Sequence, residues 1–426
     1  MDTSIRGLVA PDGSHVSRQV FASEDLYRLE QQRIFHRNWL YLAHESQLKH
    51  PGDFVTACMG ETPVIVARGA SGEITASINS CSHRGVPVCR ADRGNTSRFV
   101  CPYHNWAFSV EGDLVAIPQE RKVEHSVDKK ALGLKKVPRI ESVFGLIFGS
   151  LNPDIEPLEQ YLGDMRFYME AFFERFPGGM EIIGTPHKWL LQGNWKLPVE
   201  NQLGDIGHAP YLHRALMSAT PDATQELEDM AVTIVPRAGH AASLKLMSPD
   251  ADPASFAWGL DRTSPPHMKE YLLDVQRTVA ERLSPLQARI KGMSLGIYPN
   301  LSLLWGNATL RVSHPRGPGK IEYWSWLVLP AQAPDDIKEM LRGNYSVFFG
   351  PGGIIEQEDS YAWSQQLLGS RITYLNDQPY YYGLGMGEET TDPELPGIVG
   401  RCYNEHYARQ FFARWREDML GQESQS

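Results

Sequence analysis

The two segments that decide the fold are CSHRG, which begins at Cys81, and CPYHNW, which begins at Cys101. Each supplies one cysteine and one histidine, since His83 follows the first cysteine and His104 the second, and seventeen residues separate the pairs. Thiolates and imidazoles bind iron or zinc, and a short pair can close around a metal without the entropy of closing a long loop. The spacing therefore predicts that both pairs hold one metal centre.

The mixed composition of each pair favours an iron–sulfur cluster over structural zinc. Two cysteines and two histidines also satisfy tetrahedral zinc, so zinc is the competing interpretation at this point. Zinc sites usually bring two cysteines together as CxxC, whereas each pair here combines one sulfur with one nitrogen. Two such loops can place both thiolates on one iron and both imidazoles on the other, which is the ligation of a Rieske [2Fe–2S] centre.

Composition and charge exclude several classes of protein. The chain has 426 residues, 42% hydrophobic and 22% charged, as expected of a folded protein of two or three domains. Its net charge of -10 argues against a nucleic-acid binder, and no apolar run approaches the roughly 20 residues that cross a bilayer. Without a secretory signal pattern, we expect a cytoplasmic location and no disulfides. We interpret Cys58, Cys89 and Cys402 as packing residues.

Strand-like runs surround both cysteine–histidine pairs and predict a β-rich domain. A turn at Glu111, Gly112 and Asp113 separates two of the runs as a hairpin. Residues 152–154 break the pattern, which places a domain boundary near residue 157. The predicted strands span residues 54–58, 62–68, 74–79, 98–100, 106–110, 114–117 and 144–151.

The remainder of the chain mixes helices with strands, which is an α+β pattern. Apolar residues at helical spacing predict helices over residues 158–176 and 405–420. Strands are predicted at residues 180–183, 232–235, 243–246, 302–305, 309–313 and 321–329. The chain therefore combines a β-rich domain with a larger domain of mixed class.

A second group of possible ligands lies in the segment ENQLGDIGHAPYLHR, where Asp205, His208 and His213 fall within nine residues. On a straight helix the two histidines diverge by about 140 degrees, so both can face one metal only if the helix bends or bulges. Pro210 favours such a distortion. Alone, this spacing is equally compatible with surface or core histidines that are satisfied by hydrogen bonds.

A third ligand is expected from the segment GPGGIIEQED, in which glycines at residues 350, 352 and 353 precede Glu356, Glu358 and Asp359. A flexible turn followed by carboxylates can aim one of them inward, although a solvated helix start would give the same pattern. Two histidines and one carboxylate on one face of iron leave positions open for dioxygen, as in non-haem Fe(II) oxygenases. An iron that binds oxygen and a cluster that delivers single electrons form a coherent pair.

These motifs resemble those of the large α subunits of Rieske non-haem iron aromatic ring-hydroxylating dioxygenases, over nearly the whole chain. They are most similar to the branch acting on biphenyl and polycyclic aromatic hydrocarbons. The resemblance is carried by CSHRG, CPYHNWAFS, LEQYLGDMRFYME, NWKLPVENQLGD, YPNLSLLWGNATLRVSHPRGP and GGIIEQED. It implies a β-rich Rieske domain at residues 38–157 and a helix-grip catalytic domain at residues 158–426, with a large antiparallel sheet flanked by helices. An N-terminal arm, residues 1–37, is expected to pack with the catalytic domain.

The resemblance also implies the site residues. Two thiolates would bind one iron of a [2Fe–2S] cluster and two imidazoles the other. These cluster ligands are Cys81, Cys101, His83 and His104. The ligands of a mononuclear Fe(II) are His208, His213 and Asp359. The implied substrate pocket consists of Asn201, Gln202, Ile206, Ala209, Phe349 and Ile355.

By resemblance, Asp205 connects the two metals. Its carboxylate would accept hydrogen bonds from His208 of one protomer and His104 of a neighbouring protomer. Such a bridge would orient both rings and give electrons a route between the metals. It requires an oligomer, which the resemblance implies is a homotrimer or an α3β3 assembly with a small β subunit.

The implied reaction inserts both atoms of O2 into adjacent ring carbons of an aromatic hydrocarbon and gives a cis-dihydrodiol. NAD(P)H would be the ultimate electron donor through a separate ferredoxin or reductase, because the chain has no nucleotide-binding glycine fingerprint. The same metals could instead serve monohydroxylation or demethylation of a substituted aromatic such as an aromatic carboxylate. Outside enzymes, the alternatives are an iron–sulfur electron carrier and a zinc-stabilised binding protein.

Two residues depart from the family pattern. Asn105 stands where the family usually has glycine after the second cluster histidine, and it could tune the cluster potential. Gln202 stands where hydrocarbon-specific relatives commonly have an apolar residue. It would place a hydrogen-bonding group beside the pocket, which keeps substrates with a carboxylate or hydroxyl among the expected ones. Arg311 by itself does not indicate carboxylate binding.

Overall fold

The chain divides into two compact units. The computed structural model describes residues 5–122, 127–217, 231–248, 250, 265–304 and 309–421. One unit is Phe35–Leu158, and the other joins Met1–Ile34 to Glu159–Ser426. Within the described residues, no helix is both long and apolar enough to span a membrane.

The N-terminal segment contains a short strand and two helices. Ser23 caps the second helix, because its side chain accepts a hydrogen bond from the N–H of Leu26 at 3.3 Å. Glu24 and Asp25 lie in the first turn, where negative charge is favourable. These elements are β1 (His15–Val16), α1 (Gln19–Ala22) and α2 (Glu24–Glu30).

Ten short strands build the smaller unit. They are β2 (Leu40–His44), β3 (Asp53–Met59), β4 (Thr62–Arg68), β5 (Ile74–Ile78), β6 (Arg93–Asn95), β7 (Arg98–Val100), β8 (Ala107–Ser109), β9 (Leu114–Ala116), β10 (Arg139–Val143) and β11 (Leu146–Ser150). They form antiparallel sheets of order β5-β4-β3-β6, β7-β8-β9 and β10-β11-β2. The predicted hairpin joins β8 to β9, and Gly112 has the φ of 91° that its turn requires.

A hydrophobic core in the smaller unit surrounds the cysteine–histidine pairs. Cys81, Cys89 and Cys101 are all buried in it. Phe54 and Phe99 pack edge to face in the same core, with ring centroids 5.2 Å apart. Burial of one such side chain contributes about 2 kcal/mol, so a core of this composition can hold two loops in place.

The larger unit is organised around a nine-stranded antiparallel sheet. The nine strands of the sheet and the separate strand β19 are β12 (Met180–Gln192), β13 (Ala231–Arg237), β14 (His240–Leu246), β15 (Ile290–Ile297), β16 (Leu301–Leu304), β17 (Thr309–Pro315), β18 (Lys320–Pro330), β19 (Tyr380–Tyr381), β20 (Thr390–Asp392) and β21 (Leu395–Arg401). The sheet order is β12-β18-β17-β16-β15-β14-β13-β21-β20, and β19 pairs with β1 instead.

Helices flank this sheet. They are α3 (Leu158–Leu162), α4 (Met165–Phe173), α5 (Lys196–Gly204), α6 (Ala209–Leu212), α7 (Arg214–Met217), α8 (Pro266–Val279), α9 (Pro285–Ala288), α10 (Asp335–Phe349), α11 (Ile354–Ser370) and α12 (His406–Leu420). α5 packs against β14, β15 and β16, α12 packs against α5, and α11 packs against α10 and β12. The predicted α+β class, with a large antiparallel sheet flanked by helices, is confirmed.

Two predicted elements differ most in extent from the structure, and a third reaches a residue that the structure does not describe. The helix predicted over residues 158–176 is interrupted at Gly163, whose φ of 51° separates α3 from α4. The strand predicted to end at Ile183 continues to Gln192, because a bulge with Gly184 at a φ of 74° shifts the register without ending the strand. The strand prediction at residues 302–305 extends to Trp305, which lies outside the described residues.

Candidate metal centres

The first cysteine–histidine loop is a tight turn closed by its own backbone. The N–H of Cys81 donates to the carbonyl of Val86 at 3.0 Å, and the N–H of Gly85 donates back to the Cys81 carbonyl at 2.8 Å. Gly85 has a φ of 76°, which glycine adopts without the steric cost of a β-carbon. The turn therefore holds Cys81 and His83 in one short, fixed loop.

The second loop repeats this geometry. The N–H of Cys101 donates to the Trp106 carbonyl at 2.8 Å, and the N–H of Asn105 donates to the Cys101 carbonyl at 3.0 Å. Asn105, like Gly85, is the fourth residue after its cysteine, and it has a φ of 57°. Asparagine tolerates this left-handed conformation better than most residues do. Asn105 therefore closes the second turn as Gly85 closes the first.

The ligand atoms of the two loops lie together in a buried place. The rings of His83 and His104 have centroids 4.6 Å apart, and both Nδ1 atoms are buried without a hydrogen-bond partner among the described residues. Burial raises the pKa of the Cys81 thiol, and the neighbouring Cys101 thiol raises it further. The backbone N–H of His83 lowers it by less, so the net shift is upward. A buried nitrogen without a partner costs about 1–3 kcal/mol. Metal ligation would satisfy both nitrogens, so these residues fit a Rieske cluster.

Aromatic rings cover the two histidines. His83 stacks on Trp106 with the planes 5° apart and the centroids 4.7 Å apart. Tyr103 lies against His104 at 3.8 Å and is itself 56% exposed. Cys89, the cysteine between the pairs, donates its thiol hydrogen to a backbone carbonyl at 3.5 Å. The rings shield one side of each imidazole while the His104 side reaches the surface of this unit.

A break between two helices brings His208 and His213 together. α5 ends before Asp205, whose ψ of 71° leaves the helical region, and the short helix α6 starts after His208 and ends before His213. The two Nε2 atoms are 3.2 Å apart. Distortion was predicted at Pro210, but the break precedes it, and Pro210 occupies the first turn of α6, where its missing N–H costs nothing.

Asp359 completes a group of three possible ligands. Its Oδ1 lies 3.5 Å from Nε2 of His208 and 3.3 Å from Nε2 of His213, and the three ligand atoms lie within 4.8 Å of one another. The carboxylate comes from the first part of α11, directly after a close turn at Gly353. A β-carbon at Gly353 would come within 2.5 Å of the backbone of Phe348, so only glycine fits there.

The electrostatics of this group suit a cation. Burial lowers the pKa of His208, but the nearby carboxylates of Asp205 and Asp359 outweigh it and raise the value to about 10. Burial raises the pKa of Asp359, but the two histidines together lower it by more than burial raises it. The pKa of Asp359 is therefore below its ordinary value. Oδ1 of Asp359 is buried and makes no aligned hydrogen bond to a described residue. A carboxylate and two imidazoles around one point therefore fit a divalent metal.

The far side of each ring is held by an oxygen acceptor, a carboxylate for His213 and a backbone carbonyl for His208. Nδ1 of His213 lies 2.8 Å from Oε2 of Glu358, so its N–H donates to Glu358 and leaves Nε2 for a metal. Nδ1 of His208 donates to the backbone carbonyl of Asp205, and Oδ2 of Asp205 lies 3.4 Å away. From the sequence, Glu358 was only a candidate metal ligand, and its role as hydrogen-bond acceptor of His213 was not predicted. The one sequence feature that could have indicated this role is its position next to Asp359.

The third carboxylate of α11, Glu356, does not join the ligand group. It is fully buried, and its Oε2 lies 3.1 Å from the guanidinium of Arg311, which is also fully buried. Arg311 in turn lies over the ring of Phe349, one of the expected pocket residues, at 4.7 Å. Sequence reasoning left Arg311 without a partner, because the two charges are on different elements.

The other expected pocket residues lie near the histidines or on α11. The amide of Asn201 lies 3.2 Å from Nδ1 of His208. Gln202 donates its amide N–H to the hydroxyl of Tyr323, and its amide oxygen accepts from the hydroxyl of Ser302. The remaining three, each partly buried, are Ile206, Ala209 and Ile355.

Two family models match the chain. A Rieske [2Fe-2S] domain matches residues 38–137, and the catalytic domain of the ring hydroxylating alpha subunit matches residues 158–421. The second match alone covers more than half of the chain. The residues of both candidate metal centres fall inside these matches.

Named relatives agree with the family models. The chain is 35% identical to the alpha subunit of chlorobenzene dioxygenase from Cupriavidus sp. (strain PS12), over 93% of this chain and 89% of the relative. It is 34% identical to the alpha subunit of biphenyl 2,3-dioxygenase from Rhodococcus jostii (strain RHA1), over 97% and 91%. The solved structure of naphthalene 1,2-dioxygenase from Rhodococcus sp. bound to indole matches with a TM-score of 0.85 and 31% identity, over 96% and 95%. The chain belongs to the family of ring-hydroxylating dioxygenase alpha subunits, which combine a Rieske [2Fe–2S] domain with a catalytic domain that binds mononuclear iron.

Proposed function

We propose that this chain is the terminal oxygenase component of a multicomponent system that dihydroxylates an aromatic hydrocarbon. Family membership supports the reaction class, and it disfavours the zinc-stabilised protein and the simple electron carrier. Relatives named for chlorobenzene, biphenyl and naphthalene support a hydrocarbon substrate. The reaction inserts both atoms of O2 into adjacent ring carbons and gives a cis-dihydrodiol.

The observation that carries this proposal is the buried group of His208, His213 and Asp359 in a chain that also has the two cluster loops. We assign these three residues as ligands of the mononuclear iron. The proposed cluster ligands are Cys81, Cys101, His83 and His104. When bound, the iron supplies oxygen activation and the cluster supplies electrons.

Asp205 is proposed as the connection between the metals of neighbouring protomers. Its Oδ1 accepts the backbone N–H of His208 at 3.2 Å, and its side chain is 37% exposed. An exposed carboxylate beside a ligand histidine can also accept the ring N–H of His104 from a second copy of the chain. The proposed assembly is therefore a homotrimer or an α3β3 complex with a small β subunit.

The partners of the polar groups near the site support an apolar substrate. Both ends of the Gln202 amide are occupied, by Tyr323 and Ser302. The Arg311 guanidinium is paired with Glu356. Neither group is left to bind a substrate carboxylate, because binding one would break the hydrogen bonds of Gln202 or separate two buried charges. We therefore favour an aromatic hydrocarbon over an aromatic carboxylate, with the six expected pocket residues lining its site.

Electrons reach such a component from separate proteins. A relative is named as the large oxygenase component of a naphthalene 1,2-dioxygenase system, which supports a ferredoxin or reductase partner here, with NAD(P)H as the ultimate donor. We propose a cytoplasmic location on the same ground. Residues 38–157 would store the electron, residues 158–426 would hold the iron and the ring, and residues 1–37 would pack with the latter.

Turnover of a substrate panel tests the proposed function. The purified protein is supplied with a ferredoxin, a reductase and NADH, and offered benzene, biphenyl, naphthalene and benzoate. We expect cis-dihydrodiols from one or more of the hydrocarbons and none from benzoate. Turnover of benzoate alone would contradict the hydrocarbon assignment. In the control variant His213→Ala, loss of iron and of product is expected together, with the cluster retained.

The role of Asp205 has a separate test. We expect Asp205→Ala to keep both iron sites filled, as measured by metal analysis, and to lose product formation. After reduction, the cluster of this variant should remain reduced when substrate and O2 are added, because its electron has no route to the mononuclear iron. Normal turnover by Asp205→Ala would contradict the role.

A further inference from the structure

A fully buried ion pair lies beside the proposed iron site. Arg311 on β17 and Glu356 on α11 are 1% and 0% exposed, and their charged atoms lie 3.1 Å apart. Phe349 covers the guanidinium at 4.7 Å. Removing a charged group from water costs several kcal/mol for each of the two residues. Stability alone therefore does not explain a fully buried ion pair at this position.

The three carboxylates at the start of α11 each face a different positive or proton-donating group. Glu356 faces the Arg311 guanidinium, and Glu358 faces the N–H of His213. Asp359 faces the two Nε2 atoms of the histidine pair. One carboxylate is thus left for a metal, and the other two already have partners within the chain.

Glu356 is the carboxylate that could compete with Asp359. Residues three apart on a helix point about 60 degrees apart, so both carboxylates face the interior from the same side of α11. Burial raises the pKa of Glu356 to about 7, Arg311 lowers it, and the charge of Asp359 raises it. The two carboxylates therefore interact, and Arg311 lies within electrostatic reach of both.

Arg311 is itself fixed by neighbouring elements. Tyr323 on β18 is buried beside it and receives the amide N–H of Gln202 from α5. Gln202 in turn accepts from Ser302 on β16. This series of polar contacts joins three strands of the sheet to α5, the helix that leads into the histidine segment. These contacts hold the Arg311 guanidinium in one position, and Glu356 of α11 binds to it there.

We propose that Arg311 and Glu356 are positioning residues that select Asp359 as the carboxylate ligand of the iron. Arg311 binds Glu356 and thereby removes it from competition, and the pair sets the rotation of α11 that aims Asp359 at the two histidines. The inference rests on the proposed function, because it requires a metal at this group. Neither residue touches the metal, so their effect acts through Asp359.

Metal binding by charge-paired variants tests this role without any turnover. Fe(II) affinity is measured anaerobically on the cluster-containing protein, and the visible spectrum of bound Co(II) reports the ligand geometry. We expect Arg311→Met and Glu356→Gln each to weaken Fe(II) binding about tenfold or more and to alter the Co(II) spectrum. In the first variant Glu356 is free to compete for the metal; in the second, the unpaired Arg311 competes for Asp359.

The double variant Arg311→Met/Glu356→Gln distinguishes positioning from simple loss of stability. It contains no competing charge, so its Fe(II) affinity should return to within about threefold of wild type. Arg311→Lys, which keeps the cation, should lie between wild type and Arg311→Met. The matched control is Arg316→Met, which breaks a partly buried ion pair with Glu322 on β18 and should leave Fe(II) binding unchanged.

Specific outcomes would overturn the inference. Fe(II) binding by both single variants within about twofold of wild type would do so, as would a double variant no tighter than either single variant. If Arg311→Met does not fold, the comparison of Glu356→Gln with the double variant decides by the same criterion. Failure of the proposed function is separate: it would appear as undiminished Fe(II) binding by His213→Ala, whatever the Arg311 variants do.

Discussion

Glu358 should set the metal affinity of the proposed iron site although it is not a ligand. Its Oε2 accepts the Nδ1–H of His213 at 2.8 Å, which fixes the ring orientation and leaves Nε2 for the metal. The variant Glu358→Ala tests this role. It removes the acceptor, allows the ring to rotate and permits the other tautomer, in which Nε2 carries the proton.

The expected size of this effect follows from the exposure of the contact. Loss of a carboxylate that orients a ligand histidine typically costs 10–100-fold in metal affinity, or about 1.4–2.7 kcal/mol. The Glu358 side chain is 32% exposed, so water can replace part of the lost hydrogen bond. We therefore expect the lower end, about tenfold, for Glu358→Ala and a smaller loss for Glu358→Gln, which keeps an acceptor.

A competition assay measures this difference directly. Fe(II) is titrated anaerobically against a chromophoric chelator, with the cluster absorbance as an internal check that the smaller unit is intact. Gln357→Ala is the matched control, because Gln357 is the exposed neighbour on the same helix. Equal Fe(II) affinity of Glu358→Ala and Gln357→Ala would show that Glu358 does not set the metal affinity.

Three further predictions concern stability and cluster geometry. Lys196→Met should destabilise the larger unit by about 3–5 kcal/mol in denaturant unfolding, because it leaves Glu30 buried without its cation, and adding Glu30→Gln should recover part of the loss. Burial lowers the pKa of His240 to about 3, so below the unfolded value of about 6.5 only the unfolded chain takes up this proton, and stability falls as pH falls. The unfolding free energy of His240→Gln should therefore depend less steeply on pH, by about 1.4 kcal/mol per unit between about pH 4 and 6; an unchanged slope would contradict this. Asn105→Gly should keep the cluster, whereas Asn105→Val, β-branched at a φ of 57°, should reduce cluster content measured by absorbance and iron analysis; equal content in both variants would count against the turn argument.

Local features of the cluster loops could be predicted from the sequence. Each loop places a residue suited to a left-handed conformation four positions after its cysteine, and the short strands that flank the loops have clear apolar patterns. The hydrogen bonds that close each turn join residues that lie within one segment of six residues. Contacts of this range depend little on the rest of the chain, so residue type and spacing were enough.

Part of the second centre could be predicted, and part could not. The need for a distortion between His208 and His213 followed from helical geometry, but the position of the break depends on where α5 ends at Asp205. The sequence also offered Glu356, Glu358 and Asp359 as equivalent candidates. Which of them faces the histidines depends on how α11 is rotated against the sheet, and that is decided by tertiary packing.

The partners of buried charges were the least accessible to sequence reasoning. Arg311 and Glu356 are 45 positions apart on a strand and a helix, and no local pattern links them. The sequence predicted a free amide of Gln202 beside the substrate, but Tyr323 and Ser302 bind both of its ends. The contacts of Gln202 depend on the strand order, which places β16 and β18 on either side of β17, and the ion pair depends on how α11 packs in the fold.

A single turnover with labelled oxygen measures whether the cluster and the mononuclear iron together dihydroxylate an aromatic ring. The protein, with its cluster and mononuclear iron reduced and no other electron source present, is exposed to 18O2 together with an aromatic hydrocarbon that it accepts. We expect a cis-dihydrodiol with both labelled atoms on adjacent carbons, and a cluster that is oxidised in the same turnover. A product with one labelled atom, or product formation without cluster oxidation, would contradict it.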